Sequence, residues 1–174
     1  IKTFEHATRI WTLTLEISVA MAQFPSKEIA QGSYDYRTLG LGFANIGGML
    51  MAAGYSYDSD EARALCGAIS AIMTGRSYAT SAEIASELGA FPKYRANAKS
   101  MMRVMENHKN AALGKADGYS ELSVLPVPLA IGDCPDKTLP IAAAAAWEEA
   151  VRLGKEYGYR NAQATVIAPT GTIG

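Results

Sequence analysis

Apolar residues recur at helical spacing along most of this chain. Within residues 4–24 they lie three or four positions apart, which predicts an amphipathic helix. Its apolar face consists of Ile10, Leu13, Ile17, Met21 and Phe24, widened by Trp11 and Leu15. The next stretch, residues 24–43, predicts a connection that Gly32 and Ser33 interrupt, with a short extended segment at 37–41.

The middle of the chain predicts two further helices. Residues 44–53 are small and apolar, which favours a helix that approaches a neighbouring element closely. The next helix is capped by Asp58 or Ser59 and ends at Gly89, either as one continuous helix or restarting after Gly75. Its buried stripe is predicted to contain Leu65, Ile69, Ile72 and Met73.

The second half of the chain alternates between strong helical patterns and irregular sequence. Residues 92–113 predict a helix with a methionine-rich core face. Residues 114–137 have no period and contain several prolines, which predicts a long irregular loop. Residues 138–158 then predict a helix that Thr138 caps and a terminal glycine closes.

A β-branched apolar stretch follows the last helix. Thr165, Val166 and Ile167 predict one clear C-terminal β-strand, which Pro169 ends. The predicted fold class is therefore predominantly α with a single strand. The chain reads as one domain with a helical part at 1–113, an irregular loop at 114–137, and a helix, strand and turn at 138–174.

Charge and cysteine content exclude several kinds of function. The 174 residues include 16 basic and 17 acidic side chains, so the net charge of −1 gives no reason to expect nucleic acid or an anionic membrane as a partner. Cys66 and Cys134 are far apart and belong to no Cys/His cluster, which argues against a disulfide framework or a zinc site. No signal peptide opens the sequence, and we expect a cytoplasmic protein.

The common enzyme motifs are absent from this sequence. It contains no Walker loop, no dinucleotide-binding glycine spacing and no G-x-S-x-G turn. Glu83 and Glu87 lie four residues apart, but no histidine accompanies them, and His108 lies in a polar run, so all three predict solvated helix faces. We predict no metal ligand and no catalytic residue.

One candidate site remains, at the C-terminal turn. A buried strand that ends in a small, hydroxyl-bearing turn before a helix can hold an anion on its backbone N–H groups. The residues concerned are Pro169, Thr170, Gly171, Thr172 and Ile173. The residues alone leave a second interpretation open, in which this is only a turn that ends a strand.

Two segments resemble a known family. "SYDYRTLGLGFANIGG" and "ATVIAPTGTIG" are similar to the adenosylcobalamin-dependent (class II, vitamin B12-dependent) ribonucleotide reductase large chain, and the resemblance extends over essentially the whole sequence. It implies a central-to-C-terminal piece of a ten-stranded α/β barrel. It also implies reduction of ribonucleotides, with a leaning to diphosphates, by a thiyl radical that adenosylcobalamin generates. Residues 169–173 then correspond to the loop that holds the substrate's phosphates.

The resemblance does not extend to the family's reactive cysteines. The N-x-C-x-E-type motif of the radical cysteine and the C-terminal recycling pair are both absent from this sequence. We therefore expect a fragment that is inactive alone, with the ribonucleotide substrate and the remainder of the reductase chain as partners and a tendency to self-associate. The alternative is a stand-alone helical interaction or regulatory module on a reductase-derived scaffold, without catalysis.

Overall fold

A computed structural model describes residues 1–171, and within that range the chain forms six helices. They are α1 (Lys2–Met21), α2 (Lys27–Tyr36), α3 (Ile46–Ala53), α4 (Asp60–Leu88), α5 (Tyr94–Ala112) and α6 (Thr138–Tyr157). Helix α4 contacts α1, α5 and α6 and therefore forms the centre of the fold. None of these helices combines the length and apolar character needed to cross a membrane.

Helix α4 is continuous and buried on most of its sides. It begins where the Ser59 hydroxyl accepts a hydrogen bond from the N–H of Ala62 at 3.1 Å, which confirms one of the two predicted caps. It passes Gly75 without a break, and α6 packs closely at that point, since a Cβ at residue 75 would lie only 3.1 Å from Ala146. Small side chains along the middle of α4 let α1 and α6 approach it closely.

The main core lies between α4, α5 and α6 and is rich in aromatic side chains. Trp147 is 2% exposed and Tyr159 is fully buried. The ring of Tyr78 lies 6.1 Å from that of Trp147 and 5.6 Å from that of Tyr159. The cluster is completed by Ala79, Ala82, Met101, Met105, Ala112, Ala150, Val151, Leu153 and Ala164. The methionine-rich face predicted for α5 therefore does contribute to the core.

Helix α2 lies in the stretch that the sequence predicted to be a connection. Ser26 accepts a hydrogen bond from the N–H of Ile29, which gives the helix a side-chain cap. Gly32 lies inside the helix with open space around its α-carbon, so it weakens the helix without breaking it. The cap outweighs the glycine, and the prediction of a breaker at this point is wrong.

The apolar face predicted for α1 is not the face that packs against the rest of the described chain. Helix α1 instead buries Thr8, Thr12 and Glu16 against α4, where the Thr12 hydroxyl lies 3.3 Å from that of Ser77. Large apolar side chains of the opposite face are exposed: Ile10, Trp11, Ile17 and Met21. Periodicity identifies an amphipathic helix, but the face that is buried depends on which partner is present.

The predicted C-terminal strand is absent. Among residues 1–171 the only β-type pairing is an isolated parallel bridge between Leu41 and Thr165. A strand needs a continuous ladder, and only a short extended stretch lies beside this segment. Val166 and Ile167 are 46% and 53% exposed, so β-branched composition alone does not produce a strand here. The described part is helical, without the sheet that the predicted α/β architecture requires.

The region between α5 and α6 contains no helix or strand. Asn107 holds it by donating to the carbonyl of Ser120 and accepting from its N–H, at 3.0 and 2.9 Å. Farther along, the N–H of Leu129 donates to the carbonyl of Ala111. Between these anchors the apolar side chains of Val124, Leu125 and Val127 are exposed.

Helix α6 is capped by a residue that lies before it. The carboxylate of Asp136 accepts hydrogen bonds from the hydroxyl and the N–H of Thr138, and these bonds lower the pKa of that carboxyl. The prediction of Thr138 itself as the cap is wrong, because it is the first helical residue and donates rather than accepts.

Candidate functional site

The candidate loop lies at the end of the described chain, beyond α6. Pro169 and Gly171 are exposed, and Thr170 is partly buried. The Thr170 hydroxyl donates to the carbonyl of Ala168 at 3.1 Å, which closes a tight turn. Two further predicted site residues, Thr172 and Ile173, lie outside the described residues. The structure thus brings together three of the five predicted positions as consecutive members of one turn.

Thr170 has an unusual backbone conformation for a β-branched residue. Its φ is +66°, in the left-handed region that side chains branched at Cβ rarely adopt. Such a conformation costs of order 1–3 kcal/mol and persists where the surroundings impose it. The turn therefore holds the threonine in a strained conformation that glycine would adopt freely.

A short run of backbone hydrogen bonds guides the chain toward this turn. The N–H groups of Leu39 and Leu41 donate to the carbonyls of Gln163 and Ala164, at 2.8 and 3.1 Å. In the opposite direction, the N–H of Val166 donates to the carbonyl of Leu41 at 2.9 Å. Contact is so close at Gly42 that a Cβ would lie 2.3 Å from the carbonyl oxygen of Val166. Residues 39–42 therefore pack directly against the segment that leads to the loop.

A buried carboxylate lies where these two segments begin. Glu16 is 5% exposed, and its Oε1 accepts hydrogen bonds from Nε of Arg37 at 2.7 Å and Nε of Arg160 at 2.8 Å. Its Oε2 accepts from the amide of Asn161 at 2.6 Å. Asn161 is itself fully buried and pairs with the hydroxyl of Ser81. The carboxylate therefore joins α1 to residue 37 and residues 160–161, and Asn161 links this cluster to Ser81 of α4.

The charges in this cluster do not cancel pairwise, since two guanidinium groups share one carboxylate. The excess positive charge faces the C-terminal end of α4, where Nη1 of Arg160 donates to the carbonyls of Leu88 and Gly89 at 3.3 and 3.2 Å. Unpaired carbonyls at a helix C-terminus carry partial negative charge and stabilise a cation. The C-terminal end of α4 thus stabilises the positive charge that Glu16 alone does not neutralise.

Sequence reasoning missed this cluster, although two signals were available. Thr8, Thr12 and Glu16 form a polar row with a four-residue period along α1. Arg160 and Asn161 interrupt the approach to an apolar stretch. Buried polar side chains at helical spacing indicate a polar partner, because an unsatisfied buried group is costly.

A second concave surface lies on another part of the fold. A cavity of about 420 Å³ opens between α4, α5, α6 and residues 127–130, and Thr165 contributes to its wall. On its floor the rings of His108 and Trp147 are stacked in parallel, with centroids 5.2 Å apart. Desolvation in this position lowers the pKa of His108. His108 is exposed, as predicted for a solvated helix face, and its ring also stacks on the buried Trp147.

Cys134 and Glu83 make specific polar contacts within the described residues. Within residues 1–171 no group of three His, Cys, Asp or Glu side chains could hold a metal ion. Cys134 is buried, its thiol donates to the carbonyl of Asp136, and burial raises the pKa of that thiol. Glu83 is not simply solvated as predicted, because it pairs with Arg9 and Arg76 at 2.9 and 3.1 Å.

Comparisons with known proteins match the whole chain. The family model described as "Ribonucleotide reductase, barrel domain" matches residues 1–174. The chain is similar to the "Vitamin B12-dependent ribonucleotide reductase" of Agrobacterium fabrum, with 62% identity over 98% of this chain and 13% of the relative. The proteins of that name from Bradyrhizobium diazoefficiens and Streptomyces coelicolor are 63% and 42% identical, each over 98% of this chain. The chain spans 14% and 16% of their lengths.

Proposed function

This chain belongs to the ribonucleotide reductase barrel-domain family, and we propose that it is part of a vitamin B12-dependent ribonucleotide reductase. The proposed reaction converts ribonucleoside diphosphates to 2′-deoxyribonucleotides. Identity of 62% and 63% to two relatives of that name supports the reaction class. In this proposal the chain supplies substrate binding, and the radical chemistry belongs to other parts of the protein.

The substrate's phosphates are proposed to bind at residues 169–173. Pro169 fixes the entry to the turn, and Gly171 lets the backbone approach an anion closely. Thr170 and Thr172 are the proposed hydroxyl donors, and Ile173 is proposed to contribute its backbone N–H as a further donor. Uncharged N–H and O–H donors suit this task because they can hydrogen-bond to phosphate oxygens without a positively charged side chain.

The observation that carries this proposal is the strained conformation of Thr170. A φ of +66° at a β-branched residue is retained at a cost, and such strain concentrates at binding and catalytic sites. Its hydroxyl donates to the carbonyl of Ala168 at 3.1 Å. Rotation about the Cβ–Oγ1 bond turns the same proton toward a phosphate oxygen, and the backbone does not need to move.

Adenosylcobalamin is the proposed cofactor of the whole protein, and it supplies a radical through homolysis of its cobalt–carbon bond. The described residues 1–171 hold no cluster of His, Cys, Asp or Glu suited to a metal, and the ring of His108 is stacked on Trp147. We assign no cofactor contact to these residues. Their proposed work is to bind and orient the nucleotide.

The remainder of the reductase chain is the proposed partner of the exposed face of α1. Trp11 is 57% exposed and Met21 is 77% exposed, on a face that nothing in the described chain covers. Large apolar residues grouped on one helix face favour burial against another element. The relatives are several times longer than this chain, which supports a partner within the same polypeptide.

A cytoplasmic location belongs to the same proposal and is supported by the free cysteines Cys66 and Cys134.

Replacement of Thr170 by valine in the full-length reductase tests the phosphate loop. Valine has the same shape and keeps the β-branch, so the variant removes the hydroxyl and little else. A hydrogen bond to a charged group is worth about 1.5–3 kcal/mol, so we expect KM for the ribonucleotide to rise about tenfold or more. The value of kcat should stay within about twofold, because the lost contact is the same in the ground state and the transition state.

Thr14→Val is the matched control for this experiment. The Thr14 hydroxyl is exposed on α1 and donates to the carbonyl of Ile10 at 2.9 Å, so its loss should leave both kinetic constants unchanged. An unchanged KM in Thr170→Val would show that this hydroxyl does not contact substrate.

A further inference from the structure

We propose that Glu16 is a positioning residue for the substrate-phosphate loop, acting through Arg37, Arg160 and Asn161. This inference rests on the proposed function of residues 169–173. Glu16 lies on α1, far from the loop in sequence, and touches none of its residues. Its effect is to fix the starting points of the two segments that together lead the chain to Thr170.

Those two segments run side by side. We call residues 36–41 the first rail and residues 160–166 the second rail. The N–H of Ala162 donates to the carbonyl of Tyr36 at 2.9 Å, and the bonds between 39–41 and 163–166 continue the series. The last bond, from the N–H of Val166 to Leu41, lies four residues before Thr170. The path of the loop is therefore set by where each rail starts.

Glu16 holds both starting points at once. Arg37 begins the first rail, with a left-handed φ of 47° that turns the chain out of α2. Arg160 and Asn161 begin the second rail. The amide of Asn161 also donates to the carbonyl of Arg37 at 2.9 Å, so the two rails are joined directly beneath the carboxylate.

The burial of this cluster makes the carboxylate charge necessary. The side chain of Glu16 is 6% exposed and that of Arg37 is 7% exposed, so water cannot replace a lost partner. Removing one member of a buried ion pair leaves an uncompensated charge, which is strongly unfavourable. In Glu16→Gln two guanidinium groups lose their shared anion, and both rails must move to rehydrate them.

The chain offers a matched control on the same pair of helices. Glu83 of α4 also pairs with two arginines, Arg9 of α1 and Arg76 of α4, but its side chain is 30% exposed. It has no bond to either rail among those described for it. Glu83→Gln therefore removes the same charge from the same helix pair and leaves the path to the loop intact.

The experiment compares Glu16→Gln with Glu83→Gln in the full-length reductase. Hydrogen exchange, followed by mass spectrometry without substrate, reports on peptides covering 36–42 and 160–167 and on the middle of α4 at 68–80. In Glu16→Gln we expect exchange about tenfold faster in the first two peptides and little change in the third. KM for the ribonucleotide should rise several-fold with a smaller change in kcat, and Glu83→Gln should alter neither.

Three results would overturn the positioning role. One is unchanged exchange in the rail peptides, and another is an equal rise in all three peptides, which indicates a purely structural role. The third is faster rail exchange with an unchanged KM. If Glu16→Gln does not fold, Ser81→Ala replaces it, because it removes both bonds to Asn161 without leaving a buried charge. It should give the same pattern with a smaller amplitude, and no change in exchange or KM would again overturn the role.

Failure of the proposed function can be distinguished from failure of this inference. The exchange measurement involves no substrate, so it tests the link between Glu16 and the rails whatever the loop binds. Thr170→Val tests the loop without disturbing Glu16. An unchanged KM in Thr170→Val together with faster rail exchange in Glu16→Gln would reject the phosphate loop and retain Glu16 as the clamp of the two rails.

Discussion

Replacement of Trp147 by alanine is expected to lower the free energy of unfolding of this chain by about 3–5 kcal/mol. Trp147 is 2% exposed and packs between α4 and α5, with Tyr78 on one side and His108 stacked on its ring. Truncation removes the largest buried side chain and leaves a void that rigid helices cannot close. The void would also open into the neighbouring cavity, whose wall includes this indole.

Urea denaturation of the chain measures this effect, with Trp11→Ala as the control. Trp11 is 57% exposed on α1, so the same substitution there should change the free energy of unfolding by less than about 0.5 kcal/mol. Equal losses in the two variants would contradict the packing of α6 against α4 and α5 described here.

Replacement of Gly154 by alanine is expected to destabilise the chain by about 3 kcal/mol, at the upper end of the range for overpacked cores. A Cβ at this position would lie 2.1 Å from the hydroxyl oxygen of Tyr159. The tyrosine cannot swing aside, because it is fully buried and its hydroxyl donates to the carbonyl of Ala150 at 2.9 Å. Its displacement would also disturb residues 160 and 161, where the rail toward the loop begins.

Gly32→Ala provides a control with the opposite sign. Gly32 lies within α2 with nothing within 4 Å of a Cβ, so alanine should stabilise the chain by about 0.5–1 kcal/mol. Thermal unfolding of both variants separates a steric clash from a general effect of alanine. A stabilised Gly154→Ala variant would mean that α6 and Tyr159 are not packed as described.

The sequence predicted the helices whose ends are marked by capping residues. Ser59 and Gly89 mark the ends of α4, and Gly158 marks the end of α6, because capping depends on local hydrogen bonds. Helix α2 was missed because its glycine is a stronger signal than its single cap. The C-terminal strand was predicted from β-branched residues whose pairing partner is limited to one bridge at Leu41.

The candidate site was only partly predictable, for a different reason. The turn at 169–171 could be located from its composition and from resemblance to a family. The cluster around Glu16 depends on contacts between positions 16, 37 and 160, which are distant in sequence. Periodicity also cannot decide which face of α1 is buried, because that choice depends on the elements that pack against it.

Substrate binding by the full-length reductase, without turnover, tests whether residues 169–173 hold the substrate's phosphates. The measurement compares the dissociation constants of a ribonucleoside diphosphate and of the nucleoside without phosphates, in the unsubstituted protein and in Thr170→Val. If residues 169–173 hold the phosphates, the diphosphate should lose about tenfold or more of its affinity in Thr170→Val, while nucleoside binding stays the same. Equal affinities for the diphosphate in both proteins would rule out this loop, because the phosphates would then be held elsewhere.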